Sequence, residues 1–211
     1  MAELCRICNT RRARRRCPGI HGDICAVCCG NQREVNIFCP LDCQYLREAR
    51  LHEKPPAIDP KSLPNSDIRI YEQFLRDHEE LVLFCTFTLA DAALRTPGAV
   101  DSDVLAALAA LIRTYRTSES GLVYETRAED RVAAAVQELF ERSLADFQKT
   151  RQEKEGLSSF RNAEVLGVLV FLERSAITNQ NGRPKGRAYI DFVRERLNIS
   201  QEADTRTALV T

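Results

Sequence analysis

Residues 5–43 read CRICNTRRARRRCPGIHGDICAVCCGNQREVNIFCPLDC, and this stretch decides how the first part of the chain folds. It holds eight of the nine cysteines: Cys5, Cys8, Cys17, Cys25, Cys28, Cys29, Cys39 and Cys43. Cys5-x2-Cys8 is followed after eight residues by Cys17, then by Cys25-x2-Cys28-Cys29, and nine residues later by Cys39-x3-Cys43. A Cys-x2-Cys pair on a tight turn brings both sulfurs to one side, and two such pairs complete a tetrahedral zinc site. A short segment with few large apolar side chains does not hold a fold by burial alone, so bound metal supplies part of its folding free energy.

The thiolates, with His21 among them, suffice for two ions. The order of the pairs predicts a cross-brace, in which the first and third pairs share one ion and the second and fourth share the other. Cys5 and Cys8 then join Cys25 with Cys28 or Cys29. Cys17, Cys39 and Cys43 form the second site, completed by His21 or the remaining cysteine. Four thiolates also serve iron–sulfur clusters, and a redox dithiol is a third use of such pairs. The number and pairing of thiols favour zinc, expected as two Zn2+ per chain. A site saturated by thiolates has no vacancy for substrate, which makes it structural.

This framework resembles the HIT-type and MYND-type zinc fingers in its opening Cys5/Cys8 pair, Cys17-Pro18, Ile24 before Cys25, and the closing Cys39/Cys43 pair. It departs from them at Ile20, where those families carry a cysteine, with His21 one residue late, and at Cys39, where histidine is usual. The resemblance implies a surface for protein–protein contacts. The chain as a whole also resembles a group of bacterial proteins in which a small zinc finger precedes a helical region. The stretches in common are SGLVYE at 120–125 and NGRPKGRAYIDF at 181–192, and this resemblance implies no activity.

Composition adds to this picture. The chain has 211 residues with 30 basic and 30 acidic side chains, but residues 1–54 hold 10 basic against 6 acidic, leaving 20 against 24 elsewhere. A neutral total therefore conceals a basic head on an acidic body. The N-terminal MAELCRICNTRRARRR lacks the apolar run of a secretory signal, and no stretch is long and apolar enough for a membrane span. A cytoplasmic protein with reduced thiols is expected.

Four segments are predicted: a Cys-rich zinc-binding domain over 1–54, a Pro-rich linker over 55–66, an all-α helical bundle over 67–198 and a disordered tail over 199–211. In the bundle, apolar residues recur at three- to four-residue intervals, the spacing of one helix face. A first helix carries Ile70 to Ala92 and stops at Pro97-Gly98; a second, capped by Asp101, runs to Gly121. The third spans about 129–155 and ends at Gly156. The fourth, about 162–178, is apolar nearly all round (VLGVLVFL), which predicts a central position. A short fifth helix carries Tyr189, Phe192, Val193 and Leu197. His78 on an apolar face and the lone Cys85 read as core residues, and His52 as a spare metal ligand at best.

Two basic clusters remain. Arg11, Arg12, Arg14, Arg15 and Arg16 form a loop suited either to phosphate contacts on nucleic acid or to plain solvation. No aromatic residue interleaves them, which weakens a single-strand reading. Arg183, Lys185 and Arg187 run into a helix N-terminus and offer a second anion contact, against the plainer reading of a solvated turn. No Gly-rich phosphate loop or nucleophile elbow is present, so no catalysis is expected. The expectation is an interaction or adaptor protein whose structural zinc presents a recognition surface to an unknown protein partner. The alternative is nucleic-acid binding through the arginine loop.

Overall fold

The computed structural model describes residues 3–54, 56–119, 124–154 and 159–199. Gly121, Gly156, most of SGLVYE and residues 200–211 of the expected tail lie outside them. Among the described residues the chain is mostly helical, and it divides into two compact units. One is the N-terminal head up to Pro55 together with Asn181–Arg187; the other contains the remaining helices. The loop that the sequence assigns to the bundle thus belongs to the head.

In the head, strand β1 (Arg15–Cys17) pairs antiparallel with β2 (Gly22–Ile24), with Arg15 opposite Ile24 and Cys17 opposite Gly22. The reversal is a 3-10 turn, Pro18–Ile20, that ends on His21 with φ +49°. The opening segment lies alongside: Cys5 N–H donates to Arg11 O at 2.8 Å, Ala13 N–H to Glu3 O at 2.9 Å, and Arg6 N–H to Asp23 O at 3.0 Å. Helices α1 (Ala26–Gln32) and α2 (Gln44–Arg50) start directly after Cys25 and Cys43. The buried apolar interior of the head consists of Cys5, Cys17, Cys25, Cys28, Cys29 and Cys39 with the aliphatic Ile24, Ile37, Leu41 and Leu46. Sulfur occupies the place that aliphatic carbon fills in a larger domain.

The helical unit comprises α3 (Glu72–Asp77), α4 (Glu79–Arg95), α5 (Asp101–Glu119), α6 (Arg131–Lys154), α7 (Asn162–Asn179) and α8 (Ala188–Arg196). Helix α7 packs against α5, α4 and α8, and α6 packs against α5 and α4. Its buried run from Val165 to Val170, continued by Leu172 and Ala176, gives α7 the central position that its all-round apolarity predicts. Phe140 and Val136 of α6, Leu108 and Leu111 of α5, and Cys85 of α4 are also buried. Burial alone pushes the Cys85 thiol up to about 12, so it behaves as a small apolar side chain.

Three local features differ from the periodicity. The first expected helix is two, α3 and α4, broken at His78 (φ −118°, ψ 28°), whose half-buried ring lies 4.5 Å from that of Phe74. Asp101 does not cap α5. Its buried carboxylate accepts from the N–H groups of Tyr189 at 3.0 Å and Ile190 at 3.2 Å, so it caps α8 from a distant part of the chain. Asp103 instead accepts the Val100 N–H at the start of α5. The end of the Pro-rich stretch is fastened down: Arg174 donates to Pro64 O, Asn65 O and Ile68 O, and Arg116 to Asp67 and Asn65.

Gly167 on α7 is where the ring of Phe74 approaches; a Cβ there would stand 2.5 Å from Phe74 Cζ. Helix propensity favours alanine over glycine by about 1 kcal/mol, whereas overpacking costs about 1–3 kcal/mol. Gly167→Ala is therefore expected to lower stability in chemical denaturation. Combining it with Phe74→Leu is expected to recover part of the loss.

Candidate metal centre

The Sγ atoms of Cys5, Cys8, Cys25 and Cys28 all lie within 4.8 Å of one another. Two similar turns bring them together. In the first, Asn9 (φ +50°) folds its N–H back to Cys5 O at 2.8 Å, so that Cys5 and Cys8 face the same way. In the second, Cys25 stands at the N-cap of α1 and its sulfur accepts the Cys28 N–H at 3.3 Å. All nine cysteines are free thiols. Zinc–sulfur bonds of about 2.3 Å in a tetrahedron set sulfurs about 3.8 Å apart, so a small contraction of this cluster encloses an ion. The four cysteines can hold a metal.

The surroundings of these thiols are strongly differentiated. Hydrogen bonds from the Thr10 side chain and from the backbone at Thr10 and Arg11 bring Cys8 down to about 5. At Cys5 burial opposes ionisation, but N–H groups of Cys8, Cys25 and Ile7 outweigh it and lower the value. Burial, reinforced by competition from the Cys25, Cys5 and Cys8 sulfurs, pushes Cys28 up to about 12. Arg11 stands beside this cluster, its guanidinium held in the charged form by a hydrogen bond to Cys25 and by the nearby Cys8 and Cys28.

Cys17, Cys39 and Cys43 do not form a second group of this kind among the described residues. Burial pushes Cys39 up to about 11, the Glu34 backbone opposes this, and repulsion from the Glu34 carboxylate, Cys43 and Cys17 adds to it. At Gly19 the turn after Cys17 comes close to the chain before Cys39: a Cβ there would lie 2.6 Å from Phe38 O. Cys29 is buried, and its sulfur accepts from Arg15 Nη1 at 3.3 Å and Arg33 Nη2 at 3.8 Å. His21 is exposed, its carbonyl accepting from Arg6, and it borders a surface depression with Asn9, Arg16 and Asp23. His52 is exposed beyond the end of α2.

The arginine run does not act as one surface. Arg15 turns inward, reaching Cys29 and stacking over the Tyr45 ring at 4.6 Å, while its strand neighbour Arg16 faces out and meets Asp23 at 3.4 Å. Arg12 and Arg14 are exposed. Arg33 and Arg50, which a continuous basic face would require, are turned to Cys29 and to Glu34. Glu80 and Glu138 pair with Arg151 and Arg142 within the helical unit, not with the arginine run. In the second basic cluster, Arg183 donates to Arg33 O and pairs with Glu53, Lys185 Nζ donates to Asn36 O, and Arg187 is buried over the Phe38 ring.

Sequence reasoning passed over Glu34. It is fully buried, adopts φ +52°, and its carboxylate accepts from Arg50, Asn181 and the Arg187 N–H. Nothing about a lone glutamate between two cysteine pairs signals this, because its partners come from a segment far along the chain. No family model matches the chain, and neither a curated protein nor a solved structure matches it. The likeness to HIT-type and MYND-type fingers thus rests on spacing alone.

Thiol protonation sets the pH dependence. Metal competes with protons for sulfur, so affinity falls as pH falls, and Cys28, which holds its proton most tightly in this cluster, dominates the loss. At pH 7 Cys8 is already a thiolate. An indicator-dye titration with Zn2+ is therefore expected to release fewer than four protons per ion from the four ligands. Release of four or more would contradict the low value at Cys8.

Proposed function

We propose that the head is a cross-braced module for two zinc ions that presents a protein-recognition surface, with no catalytic role for the metal. Cys5, Cys8, Cys25 and Cys28 hold the first ion, and Cys17, Cys39, Cys43 and Cys29 hold the second. Cys29 is preferred to His21 because Arg15 and Cys17 share one face of β1, and it is Arg15 that reaches the Cys29 sulfur. The exposure of His21 supports the same choice.

One observation carries the recognition reading. Ile7 and Val27, 38% and 48% exposed, each stand immediately before a ligand cysteine of the first cluster. Two large apolar side chains are thereby held in water on either side of the metal, on turns that leave them little freedom to fold away. Leu4, also exposed, precedes Cys5. Around them are the exposed guanidinium groups of Arg6, Arg11 and Arg12. An apolar pair ringed by cations suits a peptide segment in which aliphatic or aromatic residues alternate with acidic ones.

Selection of displayed peptides against the zinc-loaded protein tests this reading. Enrichment of apolar–acidic sequences is expected, and Ile7→Asp with Val27→Asp should weaken the selected peptides at least tenfold while zinc content stays unchanged. Equal binding to the double variant would remove the surface from consideration. Salt-sensitive binding of DNA or RNA, lost on replacing Arg12, Arg14 and Arg16 with alanine, would instead favour a nucleic-acid partner.

A further inference from the structure

We infer that helices α4 and α6 form a docking groove for a cationic amphipathic helix of a partner protein. The inference concerns the helical unit by itself and does not depend on metal in the head.

Helix α4 buries one face, with Leu81, Cys85, Thr88, Leu89 and Ala92 turned into the unit. A helix packed on one side keeps its apolar residues on that side, but α4 carries more. Leu83 and Phe87 are 51% and 48% exposed, and among the described residues they are the large apolar side chains that the helices of this unit leave in water. They stand four residues apart, so one follows the other along the same face. Phe84 lies beside them, its ring stacked on that of Phe147 from α6 with centroids 3.9 Å apart and planes 10° from parallel. The stacked pair lines a surface groove between α4 and α6, and so does Phe87. Leu83 carries the apolar strip one turn further along α4.

The charges of the groove have one sign. Asp91 of α4 and Asp146 of α6 line it, and no lysine or arginine does. Asp91 meets Arg95 at 3.3 Å in an exposed pair one helical turn apart, a contact that contributes little in water and leaves the carboxylate open to another cation. Beyond residue 54 the chain carries 24 acidic against 20 basic side chains, so the wider field has the same sign.

These features select the occupant. From Leu83 to Asp91 the strip runs about 12 Å, roughly two helical turns. Among the described residues this unit has no strand edge on which an extended peptide could pair, whereas two packed helices offer a groove to the ridge of a third. A partner helix with apolar residues at i, i+3, i+4 and i+7 covers Leu83, Phe84 and Phe87, and lysine or arginine on its flanks meets Asp91 and Asp146. The same carboxylates repel nucleic acid and anionic lipid. The partner's charge is opposite to that of the segment proposed for the head.

Two designed fluorescent peptides test this on the full chain by anisotropy. Both carry leucines at i, i+3, i+4 and i+7; one has lysines on the flanks, the other glutamates. The lysine peptide is expected to bind at least tenfold more tightly and to lose that advantage in high salt. Leu83→Ser with Phe87→Ser should abolish its binding, and Asp91→Lys with Asp146→Lys should reverse the preference, with helical circular dichroism unchanged in both variants. Equal binding of the two peptides, or a preference that survives the charge reversal, would overturn the inference. So would binding of neither peptide, where loss of self-association or of neutral phosphatidylcholine binding in the Leu83→Ser, Phe87→Ser variant would assign the groove to a second copy or to lipid.

Discussion

The head depends on the convergence of cysteine sulfurs that repel one another as soon as they ionise. Packed thiols fill space, but they give little apolar burial, and they ionise unevenly: hydrogen bonds from Thr10 and Arg11 pull Cys8 down, whereas burial, with neighbouring sulfurs adding to it, pushes Cys28 and Cys39 up. A divalent cation held by Cys5, Cys8, Cys25 and Cys28 would turn the repulsion among their thiolates into shared attraction. Ile24, Ile37, Leu41 and Leu46 are too few to hold the head by themselves. The turns around the ligands, the helix starts at Cys25 and Cys43 and the approach of Gly19 to Phe38 all serve to bring the sulfurs together.

The helical unit is organised on another principle. It is held by a buried helix, α7, and by polar groups that close distant chain ends. Asp101 caps α8, Arg174 gathers three carbonyls, and Arg116 reaches Asp67. Each group is satisfied by partners remote in sequence, and for a buried carboxylate such as Asp101 the loss of those partners leaves a desolvated charge. Aromatic packing adds to this where Phe84 stacks on Phe147 with ring centroids 3.9 Å apart.

Much of this was legible in the residues. Helical periodicity located α5, α6, α7 and α8 closely, and the run around Val165–Leu172 revealed the central helix because no polar face interrupts it. The convergence of Cys5 and Cys8 with Cys25 was legible because short spacing fixes sulfur geometry locally, while the choice of Cys28 over Cys29 came from the structure. What escaped was non-local. His78 breaks a helix with no proline or glycine to announce it. Asp101 reads as a cap for the helix it begins, yet serves one 88 residues on. The arginine run looked like one surface, and strand alternation divided it, sending Arg15 inward and Arg16 outward. Glu34 could not be recognised because its importance lies entirely in groups that arrive from 181–187.

The discontinuous head has a consequence for biosynthesis. A ribosome finishes the cysteine segment early, but the groups that satisfy Glu34 are encoded beyond residue 180. At about 5–20 residues per second, something like 10 to 30 seconds pass between the two. Throughout that interval the nascent head has its sulfurs and lacks the 181–187 loop, with the Glu34 carboxylate short of Asn181 and the Arg187 N–H and the thiols open to oxidation. Metal acquired during translation would shield those thiols before residues 181–187 are made.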